Sequence, residues 1–218
     1  MIQLANKFSA IANVAFSWLR RLMPSGTPIR TLGSNHRERI AAHLLALSTQ
    51  DRYLRFGYPA QDAQILRYVQ GLDFQRDEVL GIYDSRLKLV AVAHLAYGEE
   101  VTEQGVEFGV SVLKEVRGLG YGARLFGRAA THASNLGVRT MFIHALSENA
   151  AMLKIARAAG AHVQRDGSES QAYLELPAST VYSRFGELLQ ERIAKADFRL
   201  KVRAYQIRSL INSPSEAS

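Results

Sequence analysis

The 218 residues predict an α/β (α+β) domain, a central sheet flanked by helices, with a further helical segment at each end. Three observations carry this reading. The composition, 47% hydrophobic and 22% charged, is that of a globular chain, and the length suits one α/β domain with extensions or two small domains. Apolar residues recur at helical spacing up to about residue 72, and the period then shortens to that of strands over 79–96. Beyond residue 105, strand-like runs alternate with helical ones, each helix closed by a glycine.

Taken in order, residues 4–23 place Phe8, Ile11, Ala12, Ala15, Trp18, Leu19 and Leu22 on one stripe, and Pro24, Ser25 and Gly26 end it. This amphipathic helix packs on its own domain or a partner subunit, or lies on a membrane surface with Arg20 and Arg21. Ile29–Leu32 reads as a short strand. Asn35 or Ser34 caps a helix from His36 to Leu47, Ser48 and Thr49 open another through Phe56, and residues 60–72 form a third with Ile65, Leu66 and Val69 on one side. Val79–Tyr83 and Leu87–Ala96, joined at Asp84-Ser85, read as a hairpin. Gly105–Leu113 is the next strand, Leu119–Leu136 a helix closed by Gly137, Thr140–Ala145 a strand, and Glu148–Ala159 a helix closed by Gly160. His162–Gln164 and Ala172–Leu176 are the last short strands. Val181–Ile211 carries Phe185, Leu188, Leu189, Ile193, Ala196, Leu200, Ala204, Ile207 and Ile211 at helical spacing, an apolar face to be covered by the core or by a second copy. The domain limits are therefore 1–26, 27–178 and 179–218, and the terminal helices are open either to packing on the core or to a homodimer.

Composition also excludes. Without cysteine there is no disulfide framework, thiolate nucleophile or cysteine zinc site. The six histidines (His36, His43, His94, His132, His144, His162) show no metal-ligand spacing, so no metal is expected. No apolar run approaches a bilayer span and no leader pattern opens the chain, so the cytoplasm is the expected compartment. The net charge of +7 lies wholly in the ends: residues 31–177 hold 16 basic and 16 acidic side chains. A nucleic-acid binder would carry a basic stripe in its folded core, so none is expected as partner. The basic ends read as solvated helices or as a surface for an acidic partner or anionic membrane.

The informative stretch runs from Val106 through Val112 into Arg117-Gly118-Leu119-Gly120-Tyr121-Gly122-Ala123. It is a strand, a turn, a glycine-rich loop and a helix. Glycines at alternate positions bare the backbone N–H groups, and a helix N-terminus favours an anion such as a pyrophosphate. Arg117 adds a positive charge at the loop entrance. A P-loop is rejected because Ala123-Arg124 stands where Lys-Ser/Thr is needed. A dinucleotide fingerprint on Gly118, Gly120 and Ala123 lacks an acidic residue in the following strand, Thr140–Ala145.

The pattern Arg117-x-x-Gly120-x-Gly122 resembles the R/Q-x-x-G-x-G/A signature of the GNAT superfamily of N-acetyltransferases. The order of elements over about residues 28–177 is similar to the whole family fold, which implies a mixed, mostly antiparallel sheet. Asn149, Met152 and Gly160-Ala161 resemble the family's second motif. Leu47-Ser48 with Asp51-Arg52-Tyr53-Leu54-Arg55-Phe56 resembles the acceptor side of bacterial protein lysine acetyltransferase domains. The resemblance implies acetyl-CoA, or another short acyl-CoA, as co-substrate. It implies backbone groups of Val110, Ser111 and Val112 along the pantetheine arm, N–H groups of Gly118, Leu119, Gly120, Tyr121 and Gly122 on the pyrophosphate, and Asn149 near the sulfur end. Asn149 also suits a plain helix cap.

Acyl transfer to an amine needs positioning and removal of an ammonium proton. Glu107, between Val106 and Phe108, is the candidate base: a part-buried strand carboxylate with a raised pKa, on one face with Gly109 and Ser111. It resembles the strand glutamate some family members use, while a solvated strand-edge carboxylate is the plain alternative. The acid is less defined. Ala156 stands where many family members have a tyrosine, so Tyr121, His144, a water or unaided thiolate departure takes that place, and Ala161 replaces a usual aromatic. The acceptor is a primary amine, on a protein lysine or a small molecule. Ala156 and the terminal extensions also fit a second reading, a catalytically weak CoA-binding or interaction module.

Overall fold

The computed structural model describes residues 27–98, 105–167 and 169–178, with isolated positions between 194 and 206. The expected N-terminal helix lies outside the described residues, as does most of the C-terminal segment. Element order is β1 (Ile29–Thr31), a 3-10 turn (Ser34–His36), α1 (Arg37–Leu45), α2 (Thr49–Phe56), α3 (Asp62–Gln70), β2 (Glu78–Tyr83), β3 (Leu89–Tyr97), β4 (Val106–Val112), a 3-10 turn (Lys114–Val116), α4 (Tyr121–Asn135), β5 (Thr140–Leu146), α5 (Ala150–Ala158), β6 (His162–Asp166) and β7 (Glu169–Glu175).

The strands form one sheet in the order β1-β2-β3-β4-β5-β7-β6, antiparallel throughout except where β4 meets β5. That parallel contact covers only Val106↔Met141 and Glu107↔Phe142. On its other side β4 is paired along its whole length with β3, from Tyr97↔Val106 to Ala91↔Val112. The two halves of the sheet therefore share one short seam and part beyond Glu107. This split is the feature that positions the site.

The faces of β4 follow the alternation its sequence predicts. Val106 and Phe108 are buried, and Phe108 meets Phe126 of α4 edge-on with ring centroids 5.1 Å apart. Ala129, Ala130 and Ala133 of α4 are also buried, so small side chains bring that helix close to the sheet. The opposite face of β4 looks toward α1 and α2. Those helices are held by arginines rather than by apolar contact alone. Arg37 donates to the Val69, Gln70 and Leu72 carbonyls, closing the end of α3, where a cation also meets the helix dipole favourably. Arg52 donates to the carbonyls of Leu45, Leu47 and Ala60 and pairs with Asp62 at 2.6 Å, tying the end of α1 to the start of α3.

Several boundaries differ from the sequence reading for local reasons. The first helix is not capped by Asn35 or Ser34. Gly33 instead opens a 3-10 turn, its N–H donating to His36 Nδ1 at 3.1 Å, and the α-helix begins at Arg37. Strand β3 begins at Leu89 rather than Leu87, because Leu87 sits at φ 62 in a turn where Asp84 Oδ1 accepts from the Arg86 and Lys88 N–H groups. At the C-terminal end, positions 194, 195, 198, 199, 202 and 206 are helical. Ala194 is buried, and Phe198 lies 5.2 Å from the Tyr83 ring beneath the Arg30 guanidinium. These two residues were not in the stripe read from the sequence. The stripe residues themselves, Ile193 and Ala196 among them, lie outside the described residues. Among the described residues, no helix is long and apolar enough to cross a membrane.

Candidate active site

The split between β4 and β5 opens into two adjoining cavities. The larger, about 470 Å³, runs from Val110 and Val112 past Gly118, Gly120 and Gly122 to Asn149 and Ile155. The smaller, about 270 Å³, lies beside it and is lined by Arg55, Glu107, Gly109, His144, Asn149 and Gln171 among others. Leu54, Arg55, Val110, Asn149 and Met152 border both, so they mark the junction.

The backbone of β4 explains the larger cavity. The Leu113 N–H donates to Val90 at 3.0 Å, which sets the antiparallel alternation: Leu113 and Ser111 spend their backbone groups on β3, while Val112 and Val110 turn theirs away. With no β5 partner at this level, those groups face the cleft, where the Val112 carbonyl is met by Arg117 Nε. Ser111 belongs to the candidate set only through its place on the strand. Its hydroxyl points toward α1, on the face shared with Glu107 and Gly109, and donates to His43 Nε2 at 2.8 Å. His43 Nδ1 donates to the Leu89 carbonyl at 2.9 Å, which fixes the tautomer. Burial pushes the His43 pKa down to about 4, so the ring is neutral.

The glycine loop is open. Gly118 and Gly120 have φ 81 and 75, a region that disfavours side chains, and a Cβ built on either meets nothing within 4 Å. Gly120 caps α4, so the first N–H groups of that helix are bare. Leu119, between the two glycines, is 52% exposed. Tyr121 opens α4 with its hydroxyl 3.4 Å from Thr27. This is the cradle that an extended thiol arm ending in a diphosphate requires, and the residues present fit acyl-CoA. Arg117 departs from the reading as a free charge. Its guanidinium pairs with Asp51 at 2.5 Å and its Nε donates to the Val112 carbonyl at 3.3 Å, so it fastens the loop to α2 and β4. Burial pushes the Asp51 carboxyl up, but hydrogen bonds from Ser48 and Arg117, with the Arg117 charge, outweigh it and hold the group below its ordinary value.

Asn149 is a helix cap: its Oδ1 accepts from the Met152 N–H at 3.1 Å, and its Nδ2 donates to the Leu54 carbonyl at 3.3 Å. It therefore bridges α5 to α2 at the junction, with one amide N–H left for a ligand. Glu107 is not part-buried as expected. Its side chain is 56% exposed, and His144 Nδ1 lies 3.4 Å from its Oε1. The two strands still touch at this level, which brings carboxylate and imidazole together at the mouth of the smaller cavity.

Sequence reading missed the chain of polar groups behind that cavity. Arg55 donates to the Tyr68 hydroxyl at 3.0 Å, Tyr68 donates to His94 Nδ1 at 2.8 Å, and His94 Nε2 donates to Asp77 at 3.0 Å. Burial lowers the His94 pKa, so the ring is neutral and keeps this donor order. The members come from α2, α3, β3 and the turn before β2, and no local spacing could have grouped them.

The sequence profile of the acetyltransferase (GNAT) family matches residues 42–161, more than half of the chain. The chain belongs to the GNAT acetyltransferase family. Solved structures of N-acetyltransferases share the fold. The GNAT domain of S. lividans PAT aligns at TM-score 0.58 and 21% identity over 69% of this chain and 90% of its own. Spermidine N-acetyltransferase from Vibrio cholerae, in complex with CoA and spermine, aligns at 0.56 and 15% over 70% and 97%. The ribosomal L7/L12 alpha-N-protein acetyltransferase RimL, in complex with CoA, aligns at 0.55 and 16% over 72% and 98%. No curated protein matches the chain by sequence. Within the GNAT fold of this chain, the split strand and the bare loop coincide with the residues that the motif singled out.

Proposed function

We propose that this GNAT protein transfers an acetyl or other short acyl group from acyl-CoA to a primary amine. One observation carries the reading: β4 leaves β5 after Glu107, and the backbone of Val110 and Val112 faces the gap beside an unobstructed glycine loop. Acyl-CoA supplies an activated acyl group when bound. The chain's own residues do the rest. The N–H groups from Gly118 to Gly122 and the N-terminus of α4 hold the diphosphate. Val110 and Val112 hold the arm as a neighbouring strand would, and Asn149 meets its sulfur end. Glu107 accepts the proton that the acceptor ammonium must lose before its nitrogen attacks, and its exposure lets that proton leave to solvent. His144, beside Glu107, shares the proton. No tyrosine acts from α5, since Ala156 is buried there. The cytoplasm, where acyl-CoA donors are made, is the proposed place of action.

Acetyl-CoA at millimolar concentration should raise the melting temperature, because a ligand bound only by the folded state stabilises it. Thiol should then be released when an amine acceptor is added. No shift with any acyl-CoA would end this reading.

A further inference from the structure

We infer that the acceptor is a small amine carrying its own carboxylate, with Arg55 as the residue that selects it; this rests on the acyl-transfer reading above. Arg55 stands where the two cavities meet, half-buried on α2. Its guanidinium lies flat against β4 at Gly109, where a built Cβ would come within 2.7 Å of Cζ and Nη2 and 2.8 Å of Nη1. A glycine at this one place on the strand makes the seat. From behind, the Tyr68 hydroxyl accepts one N–H, and the relay through His94 to Asp77 fixes that hydroxyl's orientation. Phe56 and Tyr68 flank the group with ring centroids 5.1 and 5.6 Å from Cζ.

The cation is built in but not neutralised. Among the described residues no carboxylate lies within 4 Å of it: Asp51 pairs with Arg117, Asp62 with Arg52, and Asp77 with Arg76 and His94. Its polar partner is a phenol. A guanidinium has five donors in a planar fork that matches a carboxylate, and a half-buried one without an anion is costly unless a ligand supplies it. Glu107 lies two residues along the same face of β4, on the order of 7 Å away by strand geometry. The smaller cavity therefore offers a cation to an acid group and an anion to an ammonium, a pattern that fits a zwitterion. A polyamine would set positive charge against Arg55. The volume, about 270 Å³, lies just below the range of about 300–1,000 Å³ for drug-sized ligand sites and suits a compact acceptor.

The test uses the full chain with acetyl-CoA and follows thiol release. The amines are the common amino acids other than cysteine and β-alanine, each against its carboxamide, with spermidine and a lysine-containing peptide alongside. At least one acid should exceed its carboxamide about tenfold or more in kcat/KM, since a site left with an unpaired polar group rejects the neutral analogue. Arg55→Gln should bring that ratio near one, chiefly through KM, while the acetyl-CoA melting shift persists; Arg55→Lys should fall between, having the charge but not the fork. Tyr68→Phe should weaken the preference in the same direction. Carboxamides equal to or better than their acids overturn the inference. So does preference for spermidine or the peptide, or a ratio that survives Arg55→Gln. If no amine turns over, acids that fail to raise the melting temperature of the CoA-loaded chain overturn it equally. Absence of any acyl-CoA shift removes the acyl-transfer reading and this inference together.

Discussion

The side chains that matter most at this site do unlike jobs at neighbouring positions. On β4, Glu107 faces the cavity mouth, Gly109 seats Arg55, and Ser111 is locked to His43, all on one face. Glu107→Gln keeps the size and removes the base. It should lower kcat by about 10²- to 10⁴-fold while leaving the acetyl-CoA melting shift in place, measured by thiol release and thermal melts. Equal loss of cofactor binding would show that Glu107 holds the donor instead, unchanged turnover would show that another group or water takes the proton, and little turnover in the parent chain itself would favour a catalytically weak binding module. Gly109→Ala sets a methyl against the far end of a flexible arginine, so the fold should survive with about 1 kcal/mol lost or less, whereas the acceptor KM should rise as the guanidinium is displaced. Alternation alone places these three residues on one face. It could not tell that Glu107 would be exposed, because exposure depends on how far β5 accompanies β4.

At the scale of elements, the cleft depends on a loop fastened to two other elements and on a bridge between its flanking helices. Arg117 joins it to α2 through Asp51 and to β4 through the Val112 carbonyl. Asn149 joins α5 to α2 through the Leu54 carbonyl. Asp51→Asn should loosen the loop and raise the KM for acetyl-CoA several-fold. The stability cost should be small, since a partly exposed pair contributes about 0–1 kcal/mol. A lower KM would instead mean that the freed Arg117 serves the diphosphate directly. The loop itself was legible from Gly118 and Gly120, because glycine suits positive φ with bare amides, and Gly122 follows them in the first turn of α4. The partner of Arg117 was not, since Asp51 and Arg117 are brought together by the docking of α2 on β4. Arg52 and Arg55 illustrate the same limit. They are three apart on α2, yet one knits helix ends and the other enters the cavity, and the helical spacing distinguishes neither role.

For the molecule as a whole, buried histidines tie stability to pH. His43 is 2% exposed, between α1 and the sheet, with its pKa lowered from 6.5 to about 4. Burial lowers His94 and His36 in the same direction. Between about pH 6.5 and 4 the unfolded chain binds a proton at His43 that the folded chain refuses. Stability from this group is therefore complete above 6.5, falls as the pH drops through that window, and is lost below about 4. The shift corresponds to at most about 3 kcal/mol, a large share of the 5–15 kcal/mol of an ordinary domain. Asp51 and Asp77, both held below their ordinary values, act in the same sense but lower on the scale, losing their contribution as the pH falls below about 4. Denaturant unfolding from pH 8 to pH 4 should thus show a plateau above 7, then a decline well before the carboxylates titrate. His43→Gln should begin less stable at pH 8, since the Ser111 hydroxyl and the Leu89 carbonyl lose their fitted partner, but lose less between 6.5 and 4. Parallel curves for the two proteins would locate the decline at His94 or His36. The site does not share this linkage until lower pH, because in the folded chain His43 stays neutral down to about pH 4 and keeps bracing Ser111 in the strand that borders the cleft, so affinity of the folded chain for acyl-CoA should hold while stability declines and weaken only as the pH approaches 4.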